Sequence, residues 1–272
     1  MNSQYLEHAG GRLAYDDSGG NGPLVLCVPG MGELRGEYRF LRPLLTEAGC
    51  RVVTLDVRGH GETSVRWPDY SVGAIGEDIV AVLRALKAGP AVVVGTSMAA
   101  GAAVCAAAAA PERVAGLVLI GPFVRDLQPA WQRQMLYNLL LARPRGVSVW
   151  ARYFASLFPA VKPADFAAYT ARQQSNLREP GRLDGLRAMM LASKQASESA
   201  LAQVRAPVLV IMGTGDPDFK DPAAEARDLA GRLHGTVQLI ERAGHYPQVE
   251  MPEQTGRAIA AFIQQLAGQH VA

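Results

Sequence analysis

Ser97, His245 and an aspartate near position 216 are the residues of this chain whose types and settings could run acyl transfer. Ser97 sits in Val92-Val93-Val94-Gly95-Thr96-Ser97-Met98-Ala99-Ala100-Gly101, where a β-branched run passes into an Ala-rich one. That pattern predicts a strand turning sharply into a helix. Such a turn needs small residues two places either side of the serine, and Gly95 and Ala99 supply them. The turn lifts the hydroxyl above the C-terminal edge of a sheet, where open α/β sheets bind ligands. It also places the serine at a helix N-terminus, whose free N–H groups favour developing negative charge. Ser97 in this setting reads either as a nucleophile or as a plain helix cap.

His245, in Gly244-His245-Tyr246-Pro247, is the one histidine of five that directly follows a core apolar run. His8 and His270 lie near the ends, His234 closes a helical stretch and His60 falls in a glycine-rich loop. A neutral imidazole is the natural acceptor for a serine proton near pH 7. Gly213-Thr214-Gly215-Asp216-Pro217-Asp218 follows the run ending at Met212. A carboxylate there can fix the histidine tautomer and stabilise its cation, and both Asp216 and Asp218 are eligible. In Val28-Pro29-Gly30-Met31-Gly32, small residues expose backbone amides. The N–H of Met31, with that of Met98, can hold an oxyanion, where one lost donor typically costs about 10²–10³ in rate. The same loop supports a rival reading. Gly30-x-Gly32-x-x-x-Gly36 follows a strand, and Asp56 ends the next strand 20 residues on, a spacing close to a dinucleotide-binding fingerprint. The glycine spacing is one residue too long for that motif.

These groups need a scaffold, and the hydrophobic pattern describes one. Leu24–Val28, Arg51–Leu55, Ala91–Val94, Val114–Ile120, Pro207–Met212 and Thr236–Ile240 are near-continuously apolar, as strands covered on both faces are. Helical patterning over 37–48, 71–87, 99–110, 221–233 and 252–267 alternates with them. The alternation predicts a mostly parallel, doubly wound α/β sheet, with an antiparallel edge hairpin around Tyr5 and Leu13–Tyr15. It breaks between Pro122 and Val204, a stretch without convincing strands that holds 9 of the 18 aromatic residues and 11 Lys/Arg against 5 Asp/Glu. The expected organisation is a core of residues 1–121 and 205–272 interrupted by a helical cap at 122–204. Trp131, Tyr137, Trp150, Phe154 and Phe158 of the cap are its candidate pocket-lining side chains.

Composition removes several classes. A chain that is 49% apolar and 19% charged has the material for a core and is not disordered. A net charge of +2 speaks against nucleic acid as a partner. Three scattered cysteines, Cys27, Cys50 and Cys105, fit buried thiols in a reducing compartment and neither a disulfide framework nor a metal cluster. A polar start without a leader-like apolar core, and no run long enough to span a bilayer, give the expectation of a cytoplasmic protein that meets neither membrane nor metal. Its oligomeric state is not written in the pattern.

Taken together, Ser97, Asp216 and His245 in that chain order, each after its own strand, resemble the α/β-hydrolase superfamily. Asp56-Val57-Arg58-Gly59-His60-Gly61-Glu62-Thr63-Ser64 is similar to that family's loop after the fourth strand, and Gly244–Glu253 to its histidine segment. The resemblance covers essentially the whole chain. It implies a Ser97 nucleophile, a His245 base, an Asp216 orienting acid, oxyanion amides at Met31 and Met98, and no cofactor. The Ser-Met pair is similar to the elbow of esterases and cofactor-free perhydrolases. Ala99 stands where the motif's last glycine would, and Pro29 where many members carry histidine. Asp126 occupies the acid position that some members use. The implied chemistry is hydrolysis of a small, largely apolar ester, lactone or thioester through an acyl-enzyme. Carbon–carbon hydrolases, acyltransferases, cyclases and ligand-sensing receptors share the same scaffold.

Overall fold

Apolar runs become central strands here because neither face of the sheet meets water. The computed structural model describes residues 3–132, 134–135 and 145–269. Its strands are β1 (Gln4–His8), β2 (Gly11–Asp17), β3 (Leu24–Val28), β4 (Arg51–Leu55), β5 (Ala91–Thr96), β6 (Val114–Ile120), β7 (Val208–Gly213) and β8 (Thr236–Ile240). They form one sheet in the order β1-β2-β4-β3-β5-β6-β7-β8. From β4 to β8 the pairings are parallel, while β1 and β2 form the antiparallel edge hairpin that the sequence predicts.

The period-two alternation of strands sorts side chains between two cores. Leu26, Val93, Leu117 and Val210 face one side. There they meet α2 (Val72–Ala85), α3 (Met98–Ala109) and α8 (Pro222–Arg232). Cys27, Val94, Val118 and Ile211 face the other, against α1 (Leu41–Glu47) and α9 (Pro252–Gln269). The helix expected over 37–48 is split. Arg35–Tyr38 forms a 3-10 turn and α1 begins only at Leu41, because Pro43 lacks an N–H and fits a helix only in its first turn. Between β6 and β7 lie α4 (Gly146–Ser156), α5 (Phe166–Arg178), α6 (Arg182–Leu191) and α7 (Gln195–Ala200), and no strand among the described residues. None of the described helices is long and apolar enough to cross a membrane.

One buried ion pair ties the loop after β4 to the helical layer. The Arg58 guanidinium donates twice to the Asp78 carboxylate of α2 at 2.7 Å, and to the carbonyls of Asp69 and Ala74. It also stacks on Trp67. Both charges are almost fully buried, so removing one strands the other without solvent. Asp78→Ala is expected to lower unfolding free energy by about 3–5 kcal/mol, measured by urea denaturation.

Candidate functional site

At Ser97 the backbone leaves the usual regions: φ is +57° and ψ is −122°. The position is held because β6 over-determines it. Ser97 N–H donates to the Ile120 carbonyl at 2.8 Å, and the Ser97 carbonyl accepts from Phe123 N–H at 3.1 Å. A Cβ at Gly95 would lie 2.5 Å from the Ala99 carbonyl oxygen, so glycine is required there, while Ala99 fits fully buried. The Ser97 side chain makes no capping bond to α3, which removes the plain helix-cap reading.

His245 Nδ1 lies 2.7 Å from Asp216 Oδ2, a bond that leaves Nε2 for the cavity side. Asp218, the other eligible carboxylate, stands 3.8 Å from the same nitrogen and accepts the Tyr153 hydroxyl proton at 2.7 Å. Asp126 serves the insertion instead, accepting from Ser193 Oγ at 2.8 Å and from Lys194 N–H. Burial alone would lower the His245 pKa, but the charge and hydrogen bond of Asp216, with help from Asp218 and Glu37, raise it to about 9. Asp216, Asp218 and His245 also form the one group of described residues whose ligand atoms lie close enough for a metal. Nδ1 already binds Asp216 Oδ2, and Asp216 Oδ1 accepts the Asp218 N–H at 3.0 Å.

The loop after β3 is gripped on both sides of Met31. Gly30 N–H donates to the buried Glu37 carboxylate at 3.0 Å, and Gly32 N–H to His60 Nε2 at 3.1 Å. Among the described residues, Met31 N–H has no acceptor. Met98 opens α3, so its N–H is one of the orphan donors of a helix start. A methyl carbon at Gly30 would stand 3.2 Å from Ser97 Cβ, which places this loop beside the serine. At Gly32, φ is +75° and the Trp150 ring lies where a Cβ would be, at 2.3 Å. Burial lowers the His60 pKa to about 4, so the ring stays neutral, with Nδ1 against the Arg58 carbonyl at 3.1 Å. Burial lifts Glu37 to about 7 against the bonds from Thr96, Gly30 and Gln248. Sequence reasoning missed both grips. In the sequence His60 is one loop histidine among others; its adjacency to the Gly30–Gly32 turn exists only in three dimensions. The dinucleotide reading fails on the same loop. Asp56 is buried, and it accepts from the Arg35 amide at 2.7 Å, from the Arg35 guanidinium and from the Glu62 amide at 3.0 Å. Its carboxylate is spent bracing the turn.

Ser97, His245, Met31 and Tyr246 line a cavity of about 60 Å³ together with Phe123, Trp150, Tyr153, Leu157, Met190 and Lys194. Of the predicted pocket residues, Trp150 is in this lining. Phe154 and Phe158 are not; they are buried in a cluster with Tyr246 and Val249. Helical geometry explains the difference. At ~3.6 residues per turn, 153 and 157 fall to one side of 150, and 154 and 158 to the other. Trp131 is 64% exposed. Tyr137 lies outside the described residues.

A family model described as alpha/beta hydrolase fold matches residues 23–252. A dihydrolipoyllysine-residue acetyltransferase component of an acetoin cleaving system from Pseudomonas putida is 30% identical over 270 residues, covering 96% of this chain and 69% of that protein. A 2-(acetamidomethylene)succinate hydrolase from Mesorhizobium japonicum is 28% identical, over 90% of this chain and 89% of its own. The solved structure of a thermophilic esterase from Thermogutta terrifontis superposes with a TM-score of 0.81 at 24% identity, over 98% of this chain and 99% of that one.

A histidine pKa raised from its ordinary value to about 9 means that folding binds a proton between those limits. The stabilisation is fully present below about pH 6.5 and is lost as pH rises through the folded value. NMR titration of the His245 ring is expected to give a midpoint well above 6.5 that falls in Asp216→Asn. A midpoint unmoved by that substitution would refute the assignment of the carboxylate as the cause.

Proposed function

This chain belongs to the α/β-hydrolase family, and from that premise we propose that it cleaves a small carbonyl substrate through a Ser97 acyl-enzyme. The observation that carries the reading is the 2.7 Å His245–Asp216 bond in the same cavity as a serine held at a positive-φ turn. Ser97 Oγ attacks the carbonyl carbon while its proton passes to His245 Nε2. Asp216 keeps the proton-bearing Nδ1 facing it and stabilises the imidazolium that forms. The oxygen that becomes an oxyanion accepts from the N–H groups of Met31 and Met98. The tetrahedral intermediate collapses, and His245 hands its proton to the leaving group. Water then repeats the steps on the acyl-enzyme and returns the serine.

His60 and Glu37 support this reading. By accepting the amides on either side, they leave Met31 N–H as the donor that this loop offers the cavity. The insertion supports it too. Trp150, Tyr153, Leu157, Met190 and Lys194 wall the cavity from above the strand ends, so residues 122–204 act as a cap that shapes the substrate. A cavity of about 60 Å³ suits a short acyl chain, and acetyl or butyryl esters are its best small probes.

Ser97→Ala should abolish both turnover of p-nitrophenyl butyrate and labelling by a serine-directed phosphonate; retained activity would refute the nucleophile. Asp216→Asn is expected to cut kcat by about 10⁴. Because the base must be neutral, wild-type kcat/KM should rise with pH towards about 9. In Asp216→Asn that limb should move to lower pH.

A further inference from the structure

Tyr246 follows His245 in the chain. It is only 2% exposed, yet it forms part of the cavity wall beside Ser97. Other tyrosines of the site spend their hydroxyls within the protein: Tyr38 on the Val28 carbonyl, Tyr169 on Glu33 and Tyr153 on Asp218. Among the described residues, the Tyr246 hydroxyl has no hydrogen-bond partner. We propose that this hydroxyl is a catalytic donor: it bonds the substrate carbonyl oxygen beside the Met31 and Met98 amides, and that bond strengthens as the oxygen becomes an oxyanion. The inference rests on the acyl-enzyme reading above and adds a third donor to it.

Three observations lead there. The first is position. The Tyr246 oxygen stands 3.8 Å from the point that a Cβ on Gly30 would occupy, and Ser97 Cβ stands 3.2 Å from the same point. A side chain at Gly30 would touch both; glycine leaves that space to the reacting carbonyl. Gly30 immediately precedes Met31, so the hydroxyl reaches the cavity beside the loop that offers the Met31 amide. The second is rigidity. The Tyr246 ring stacks on Phe158 with centroids 5.1 Å apart and planes 12° apart, and it meets Phe154 at 5.5 Å and His245 at 5.0 Å. A donor clamped in this way needs no reorganisation when charge develops. Phe154 and Phe158, which do not line the cavity, thus act on it through Tyr246. The third is protonation. Burial, with Glu33 and Glu37 nearby, pushes the Tyr246 pKa well above its ordinary value. The hydroxyl keeps its proton throughout: it donates a hydrogen bond and transfers nothing.

The carbonyl oxygen is the acceptor that this donor suits. A buried hydroxyl without a bond costs free energy, and a substrate oxygen offsets that cost on binding. The leaving-group oxygen is already served by His245 Nε2. A cavity of about 60 Å³ holds little acyl chain beyond the carbonyl.

Tyr246→Phe removes the oxygen and keeps the ring. On p-nitrophenyl acetate, kcat is expected to fall by about 10²-fold, the loss typical of one oxyanion donor, with KM little changed. The ketone 1,1,1-trifluoro-2-butanone adds to a nucleophilic serine as a hemiketal that has an oxyanion and no leaving group. Its dissociation constant, read by fluorine NMR, should rise in Tyr246→Phe by a factor similar to the fall in kcat/KM. The urea midpoint of the variant should stay at or above that of the wild type, because the folded chain loses no bond. An unchanged kcat, or a fall in kcat while the ketone binds as before, would overturn the proposal. So would a lowered urea midpoint with a raised KM, the signature of a purely structural hydroxyl. If Ser97→Ala keeps its turnover, the acyl-enzyme reading and this donor fall together. If Ser97→Ala is inactive and Tyr246→Phe is as active as the wild type, only the donor falls.

Discussion

The left-handed backbone at Ser97 is the constraint on which the rest of the site depends. A non-glycine residue in such a region costs of order 1–3 kcal/mol and persists only where its surroundings over-determine it. Here they do. β5 lies in the middle of the sheet between β3 and β6, the Ser97 amide and carbonyl are both bonded to the end of β6 or the loop beyond it, and α3 behind it is built almost wholly of alanine. Small side chains let α3 lie close to the strands and to α2, so the serine's position is set by the best-packed region of the molecule.

Around that fixed point the site is assembled from buried polar groups that would be expensive singly. Asp216 and His245 are nearly inaccessible to solvent, and each offsets the other's desolvation. Glu37 takes the Gly30 amide and the Gln248 amide group at once, and Gln248 also reaches Thr96, one residue before the serine. Tyr38 bonds both Thr96 and the Val28 carbonyl. The loop after β3, the end of β5 and the segment after His245 therefore share one hydrogen-bonded base. Glu33 adds a second buried carboxyl, its pKa pushed well up by burial and by Glu37, with the Tyr169 hydroxyl against it. That contact reaches from the core to α5, and the Arg39–Asp165 pair makes a similar link at the surface. The insertion is thus fastened to the loop it covers through polar contacts as well as through Trp150.

Much of this was legible in the residues. Continuous apolar runs can be strands of a two-sided sheet, and the predicted runs coincide with β3 to β8 within a residue or two. The strand-to-helix turn at Ser97 follows from the sizes of Gly95 and Ala99. Where the pattern was misread, a local rule intervened: Pro43 moved the start of α1. The pocket was harder. Aromatic residues at 150, 154 and 158 are equivalent as composition, yet a rotation of 40° to 80° about a helix axis separates a cavity wall from a packed cluster.

The sequence by itself determined the class of sheet, the order in which Ser97, the aspartates and His245 meet its C-terminal edge, and the presence of an aromatic, basic insertion. These are properties of periodicity, residue size and charge, which are local and additive. Only the tertiary structure decided that Asp216 and not Asp218 bonds His245, and that His60 and Glu37 hold the amides flanking Met31. Each of those choices is a distance between groups 7 to 29 residues apart in the chain. Such distances are set by how strands, loops and insertion pack together, a sum over many contacts that no local run of residues contains.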